Sequence, residues 1–204
     1  MLSPVALATW ISLCTPWAEP RLLTALVVAG SAGDPYLITD AADKPLASGS
    51  PKDALRVLRQ LPAGSEAYIG LTQLPVSKLA ALGLHPEAAL DPCGNLEVGY
   101  QLLLNARAEA GKVEKSPWKT VSVAYSLYRS GKAVIDGPFA RKATDHLMKG
   151  TTVAPAPLGS PLRYSILAEW SAGLAMREAA RYGTPRPAPL VHSLAVARWA
   201  RSQY

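Results

Sequence analysis

Apolar residues recur at helical spacing along most of the chain, and prolines and glycines separate the segments. Pro20 suits a first helical turn, and the apolar residues that follow predict a helix that ends near Gly30 and Pro35. Similar patterns predict helices over 5–13, 51–61, 76–82, 92–111, 118–129 and 138–148. Residues 68–74 are apolar and glycine-broken, which suits an extended segment or a tight turn, and the loop after Pro35 is predicted to be polar and short. Other strand signals are scarce, so we expect a mainly α protein.

The last quarter of the chain differs in composition from the rest. Residues 151–161 are rich in proline and threonine, which predicts an extended linker after a main domain over 1–150. Residues 162–204 contain an apolar stripe at helical spacing and predict a helical C-terminal extension. Trp170 lies there among arginines, but an amphipathic packing helix explains this pattern better than nucleic-acid binding does.

The overall composition excludes several classes of protein. The chain has 204 residues, of which 49% are hydrophobic and 18% charged, so it can bury a core and is not disordered throughout. No apolar run approaches the ~18 residues that cross a bilayer. The first ten residues contain no Lys or Arg, so a typical export signal is not visible.

Net charge is unevenly distributed. Residues 1–140 carry 12 basic and 12 acidic side chains, whereas residues 141–204 carry 9 and 3, so the whole formal charge of +6 lies in the last third. A basic tail of this kind attracts anionic polymers, lipids or acidic protein surfaces. Charge alone does not choose among these partners.

Cysteines and histidines by themselves indicate no metal or cofactor. Cys14 and Cys93 are the only thiols and lie 79 positions apart, which leaves both a disulfide and two buried thiols open. His85, His146 and His192 have no cysteine or carboxylate at ligand spacing, so we expect no metal site. No cofactor is expected.

Several short motifs occur in a characteristic order. They are Ala-Gly-Ser-Ala-Gly-Asp-Pro-Tyr-Leu-Ile at 29–38, Gly-Leu-Thr-Gln-Leu at 70–74, Asp-Pro-Cys-Gly-Asn at 91–95, Ala-Tyr-Ser at 124–126 and Gly-Pro-Phe-Ala-Arg-Lys at 137–142. Over residues 5–150 they resemble the lysozyme-like lytic transglycosylases of bacterial type IV secretion and conjugation systems. The resemblance implies a lysozyme-like domain of the goose-type or soluble lytic transglycosylase kind, peptidoglycan glycan strands as ligand and a periplasmic location.

The resemblance also implies a disulfide. The family pairs a cysteine near its first helix with the cysteine of its Asp-Pro-Cys segment, and Cys14 and Cys93 occupy similar positions. A bridge across so long a loop would stabilise the fold by ~3–5 kcal/mol. It would also fit an oxidising compartment.

The chain departs from the family at the catalytic position. The family cleaves peptidoglycan with one carboxyl group, which protonates the leaving oxygen and later takes a proton from the sugar. Gly30 stands where that Glu is expected, and glycine can neither donate nor accept a proton. Asp34 and Glu66 are the candidate substitutes, but a carboxylate on a loop is poorly placed for catalysis. We therefore expect no catalytic residue.

A glycan groove is nevertheless expected from the remaining motif residues. The resemblance places five side chains in it: Ser31, Tyr68, Gln73, Tyr125 and Ser126. Ser126 stands where the family has Asn, which is a second departure near the same site. Core packing with satisfied hydroxyl groups explains the tyrosines and Gln73 equally well.

The leading hypothesis is a catalytically impaired relative that binds peptidoglycan or acts as a scaffold in an envelope secretion apparatus. Residues 162–204 would dock onto subunits of that apparatus. One alternative is an active, divergent transglycosylase that uses another carboxylate. Another is a structural subunit that binds no glycan, and a third is that Gly30 is an engineered inactivating change.

Overall fold

The computed structural model describes residues 1–62, 64–150 and 154–156. The chain divides into two units, Met1–Leu158 and Gly159–Tyr204, and every described residue lies in the first. The predicted extension over 162–204 and most of the predicted linker over 151–161 lie outside the described residues.

Helices dominate the described part of the chain, as predicted. They are α1 (Pro4–Cys14), α2 (Pro20–Ser31), α3 (Pro51–Gln60), α4 (Val76–Ala81), α5 (Pro92–Val113), α6 (Pro117–Ser130) and α7 (Pro138–Lys149), with a 3₁₀ helix at Pro86–Leu90. Each helix predicted within these ranges is present, and its ends differ from the prediction by at most two residues. The mainly α fold is compatible with a lysozyme-like domain.

Prolines start most of these helices. Six of the seven α-helices in the described ranges begin with proline, whose missing N–H would have no partner there and whose φ suits a first turn. Side chains also cap several starts: Ser3, Glu19, Ser50 and Asp91 accept hydrogen bonds from backbone N–H groups one turn into their helices. The high proline content therefore marks helix starts.

A small antiparallel sheet lies between α2 and α4 in the sequence. Its strands are β1 (Ile38–Asp40), β2 (Pro45–Ala47), β3 (Ala67–Ile69) and β4 (Leu74–Pro75), in the order β2-β1-β3-β4. The prediction of a short polar loop after Pro35 was wrong, because β1 and β2 form a hairpin there. Strands of two or three residues are too short to show an alternating pattern.

The Cys14–Cys93 disulfide joins the end of α1 to the start of α5. The two Cα atoms are 5.0 Å apart, and the pairing implied by the resemblance is confirmed. Around it, α5 packs on α6, and α2 packs on α7. Leu23, Leu26 and Val27 of α2 are fully buried in this helical core. None of the helices in the described ranges is long and apolar enough to span a membrane.

Candidate functional site

Gly30 lies half-buried in the last turn of α2, next to the β3–β4 turn. A Cβ atom at this position would lie 3.0 Å from Gln73 Cγ, 3.3 Å from Gln73 Cβ and 3.7 Å from Phe139 Cε2. An amide side chain and an aromatic ring therefore occupy the space in front of Gly30. None of these three nearest atoms belongs to a carboxyl group.

Gln73 is held in this place by hydrogen bonds within the protein. Its Nε2 donates to the carbonyl oxygens of Leu37 and Gly70, at 3.1 and 2.9 Å, and its Oε1 accepts from the Thr39 hydroxyl at 2.8 Å. The residue is 1% exposed and has a left-handed φ of 54°. The Gln73 amide thus ties the β3–β4 turn to β1, and its polar atoms point into the protein.

The two candidate replacement carboxylates lie in different environments. Asp34 is buried: its Oδ1 accepts from the Tyr36 N–H at 2.9 Å, and its Oδ2 accepts from the Ser48 hydroxyl and the Gly49 N–H at 2.7 and 2.8 Å. These bonds tie the loop after α2 to the loop before α3. Glu66 is exposed, just before β3. Asp34 is therefore occupied by loop contacts, and Glu66 lies on the surface.

Ser31 and Tyr125 also bond to the protein itself. The Ser31 hydroxyl lies 2.7 Å from the Leu71 carbonyl oxygen, to which it donates, and the residue is 2% exposed. The Tyr125 hydroxyl donates to the Leu22 carbonyl oxygen at 3.0 Å, and the ring is fully buried. Burial raises the pKa of Tyr125 well above its ordinary value. Both side chains join elements of the core.

Asn95 connects two of the motifs on which the resemblance rests. Its Oδ1 accepts from the Thr72 N–H and hydroxyl, at 2.8 and 2.7 Å. Its Nδ2 donates to the carbonyl oxygens of Ile69 and Ala89, at 2.9 and 2.8 Å. The Tyr128 hydroxyl of α6 completes the cluster by donating to the Thr72 carbonyl oxygen at 2.9 Å. The Gly-Leu-Thr-Gln turn is thereby attached to the start of α5.

Arg129, near the end of α6, covers another predicted groove residue, Tyr68. The guanidinium carbon lies 3.2 Å from the centre of the Tyr68 ring and 5.4 Å from the centre of the Phe139 ring. Arg129 Nη2 pairs with Asp43 Oδ1, from the β1–β2 turn. Burial lowers the pKa of Arg129, and the Asp43 carboxylate opposes that shift.

Ser126 lies on α6 three residues before Arg129. It is 5% exposed, and its Oγ has no hydrogen-bond partner among the described residues. A Cβ at Gly137 would lie 3.1 Å from this oxygen, so the glycine leaves the adjacent space without a side chain. Arg129, Asp43 and Phe139 were absent from the predicted site. The i, i+3 spacing of Ser126 and Arg129 was the available signal, since residues so spaced share a helix face.

An apolar groove of about 960 Å³ lies elsewhere, between α1, α2 and the end of α7. Its walls include Leu7, Ile11, Val28 and Leu147. None of the five predicted groove residues lines it within the described ranges. Polar side chains, among them Ser12, Arg21 and Thr24, also line it.

Among the residues that the structure describes, no three His, Cys, Asp or Glu side chains are grouped so that they could hold a metal ion. The polar groups of the predicted site residues and of Arg129 are an amide, hydroxyls, one guanidinium and its paired carboxylate. These groups could therefore interact with a ligand through hydrogen bonds and charge.

Comparison with known proteins gives one partial match. No protein-family model and no solved structure matches the chain. The chain is similar to protein virB1 of Agrobacterium fabrum. The two are 29% identical over 120 residues, which are 58% of this chain and 49% of virB1. The chain thus spans about half the length of that relative. The similarity loosely supports the resemblance drawn from the motifs.

Proposed function

We propose that this protein is a catalytically impaired, lytic transglycosylase-like component of a type IV secretion or conjugation apparatus, which holds peptidoglycan without cleaving it. The observation that carries the proposal is the environment of Gly30. Gly30 carries no acid, and the side chains nearest to its Cβ position are those of Gln73 and Phe139. An amide and a phenyl ring cannot exchange protons with a glycosidic oxygen near neutral pH.

The chemical reason is the need for an acid. Cleavage of a glycosidic bond requires a positioned group that gives a proton to the leaving oxygen and later takes one, and such catalysis contributes ~10²–10⁴-fold. Asp34 accepts three hydrogen bonds within its loops. Asp43 is paired with Arg129. Asp34 and Asp43 therefore both have partners in this structure, and Glu66 lies exposed just before β3.

The proposed location is the periplasm, and two observations support it. The Cys14–Cys93 disulfide fits an oxidising compartment. The partial similarity to virB1 agrees with the motifs. We further propose that residues 162–204, with 6 basic and 2 acidic side chains, bind subunits of the envelope apparatus.

Incubation of the purified chain with insoluble peptidoglycan tests this function. We expect the protein to sediment with the polymer and to release no anhydro-muropeptides. Release of these products, if lost in Asp34→Asn or Glu66→Gln, would show an active enzyme that uses another carboxylate and would overturn the proposal. The exposed pair Lys112 and Glu109 offers a control, since Glu109→Gln should change neither result.

A second candidate function is a structural subunit that binds no glycan. It is favoured by the burial of Ser31, Gln73 and Tyr125, whose polar atoms bond to the protein itself. Failure of the chain to sediment with peptidoglycan, together with stable co-purification in a protein complex, would support this function in place of the first.

A further inference from the structure

Two buried side-chain polar atoms lack a hydrogen-bond partner within the described part of the chain, and both lie on α6. They are Ser126 Oγ and Arg129 Nη1. Buried polar groups are normally paired, because leaving one unpaired costs free energy. Ser126 and Arg129 lie one helical turn apart, so their unused hydrogen-bonding capacity lies on one face of α6.

The surroundings of Arg129 orient its guanidinium group. Tyr68 lies against one face and Phe139 nearby, while the Arg129 side chain is 10% exposed. Asp43 contacts Nη2, and Nη1 has no partner within the described ranges. The partner carboxylate comes from the tip of the β1–β2 hairpin, and its side chain is 59% exposed. Asp43 can therefore leave without disturbing the core.

We propose that Arg129 is a receptor for a ligand carboxylate and that Asp43 occupies the same place when no ligand is bound. A carboxylate that lies across both Nη1 and Nη2 makes two parallel hydrogen bonds, which is the strongest arrangement for this pair. Asp43 makes its contact with Nη2 alone. An incoming carboxylate thus gains a bond that Asp43 leaves unmade.

Ser126 supplies a second contact one helical turn away. Its hydroxyl can donate and accept, and Gly137 places no side chain against it. The ligand therefore carries a carboxylate and, near it, a hydroxyl or amide. This inference rests on the proposed function, under which such a ligand is a wall glycan. Two sources are available there, the lactyl carboxylate of a muramic acid residue and a carboxylate of its stem peptide.

Calorimetric titration of the 204-residue chain with three probes tests the inference. The probes are the disaccharide of N-acetylglucosamine and N-acetylmuramic acid with a free lactyl carboxylate, the same disaccharide with a stem peptide, and neutral chitotetraose. We expect the wild-type chain to bind a carboxylate-bearing probe more tightly than chitotetraose. Tighter binding of the first probe assigns the lactyl source, and tighter binding of the second assigns the peptide.

Two substitutions should change this preference in opposite directions. Arg129→Gln should weaken binding of the preferred probe about tenfold or more, since it removes a charge-assisted contact. Asp43→Asn should strengthen it about twofold to fivefold, because it removes the exposed carboxylate that competes for Arg129. A purely structural Asp43–Arg129 bridge would not give tighter binding in Asp43→Asn. Arg56→Gln, which removes an exposed arginine from α3, is the control and should have no effect.

The outcomes separate this inference from the proposed function. If all probes bind and neither substitution changes the preference for a carboxylate, the inference is wrong and the proposed function stands. If no probe binds but the wild-type chain sediments with peptidoglycan, only the inference is wrong, and if the chain does neither, both are wrong. Asp43→Asn keeps the test valid if Arg129→Gln fails to fold, since Asp43 is exposed.

Discussion

Two buried polar clusters, at Asn95 and on α6, differ in how far their hydrogen bonds are satisfied. Asn95 makes four side-chain hydrogen bonds, to Thr72, Ile69 and Ala89, and joins the β3–β4 turn to α5. Ser126 and Arg129 each leave one buried atom unpaired within the described ranges. Both clusters belong to motifs of the same resemblance. The comparison shows that the side chain of Asn95 is fully bonded, whereas those of Ser126 and Arg129 are not.

The largest expected effect comes from the Cys14–Cys93 disulfide, which lies two residues before Asn95 on α5. Replacing Cys14 and Cys93 together by Ala should lower the free energy of unfolding by about 4–5 kcal/mol, because the bridge closes a long loop in the unfolded chain. Urea denaturation of the double variant and of the wild-type chain measures the difference in free energy of unfolding. Treatment of the wild-type chain with a reductant should give a similar loss and should not change the variant. A loss below about 1 kcal/mol would show that the non-covalent contacts hold α1 and α5 together without it.

The second-largest expected effect tests the hydrogen bonds of the Asn95 side chain. Asn95→Ala should destabilise the fold by about 3 kcal/mol or more, because the Thr72 N–H and the Ile69 and Ala89 carbonyl groups lose their buried partner. Asn105→Ala, on the exposed side of the same helix, is the matched control and should stay within about 0.5 kcal/mol. Equal losses in the two variants would contradict the assigned role of Asn95.

Gly30→Glu restores the carboxyl that the resemblance calls for. It should destabilise the fold by about 1–3 kcal/mol, because Gln73 is held by hydrogen bonds and cannot move aside freely. The variant should release no anhydro-muropeptides. Gly111→Glu in α5 is the control: no atom lies within 4 Å of its Cβ position, so it should be neutral or stabilising. Lytic activity in Gly30→Glu would instead show a site that lacks nothing but its acid.

The smallest expected effect is the difference in stability between alanine substitutions at two serines of α6. Ser126→Ala should be neutral or stabilise the fold by up to about 1 kcal/mol, since its hydroxyl is unpaired and alanine favours helix. Ser122→Ala should cost about 1 kcal/mol, because the Ser122 hydroxyl donates to Asp136 Oδ1 and accepts from the Asp136 N–H, both at 3.1 Å. Thermal unfolding of both variants measures the difference. A larger loss in Ser126→Ala than in Ser122→Ala would remove the contrast between the two clusters.

Sequence reasoning was most accurate for the helices. Pro20, Pro51 and Pro92 mark helix starts through a local preference, and helices begin at all three residues. An extended segment or a tight turn was predicted over 68–74, where β3 and β4 meet, but β1 and β2 were not predicted, because strands of three residues show no alternating pattern. The Cys14–Cys93 bridge came from the resemblance, since two isolated cysteines carry no pairing information.

The sequence by itself determined the mainly α character of the described chain, the absence of a side chain at Gly30 and the order of the motifs. These are properties of single residues and of local spacing. The tertiary structure decided that Gln73 and Phe139 lie next to Gly30. It also decided that Asp34 accepts hydrogen bonds from the loop before α3 and that Arg129 pairs with Asp43. Such contacts join residues 14 to 109 positions apart, and packing brings them together.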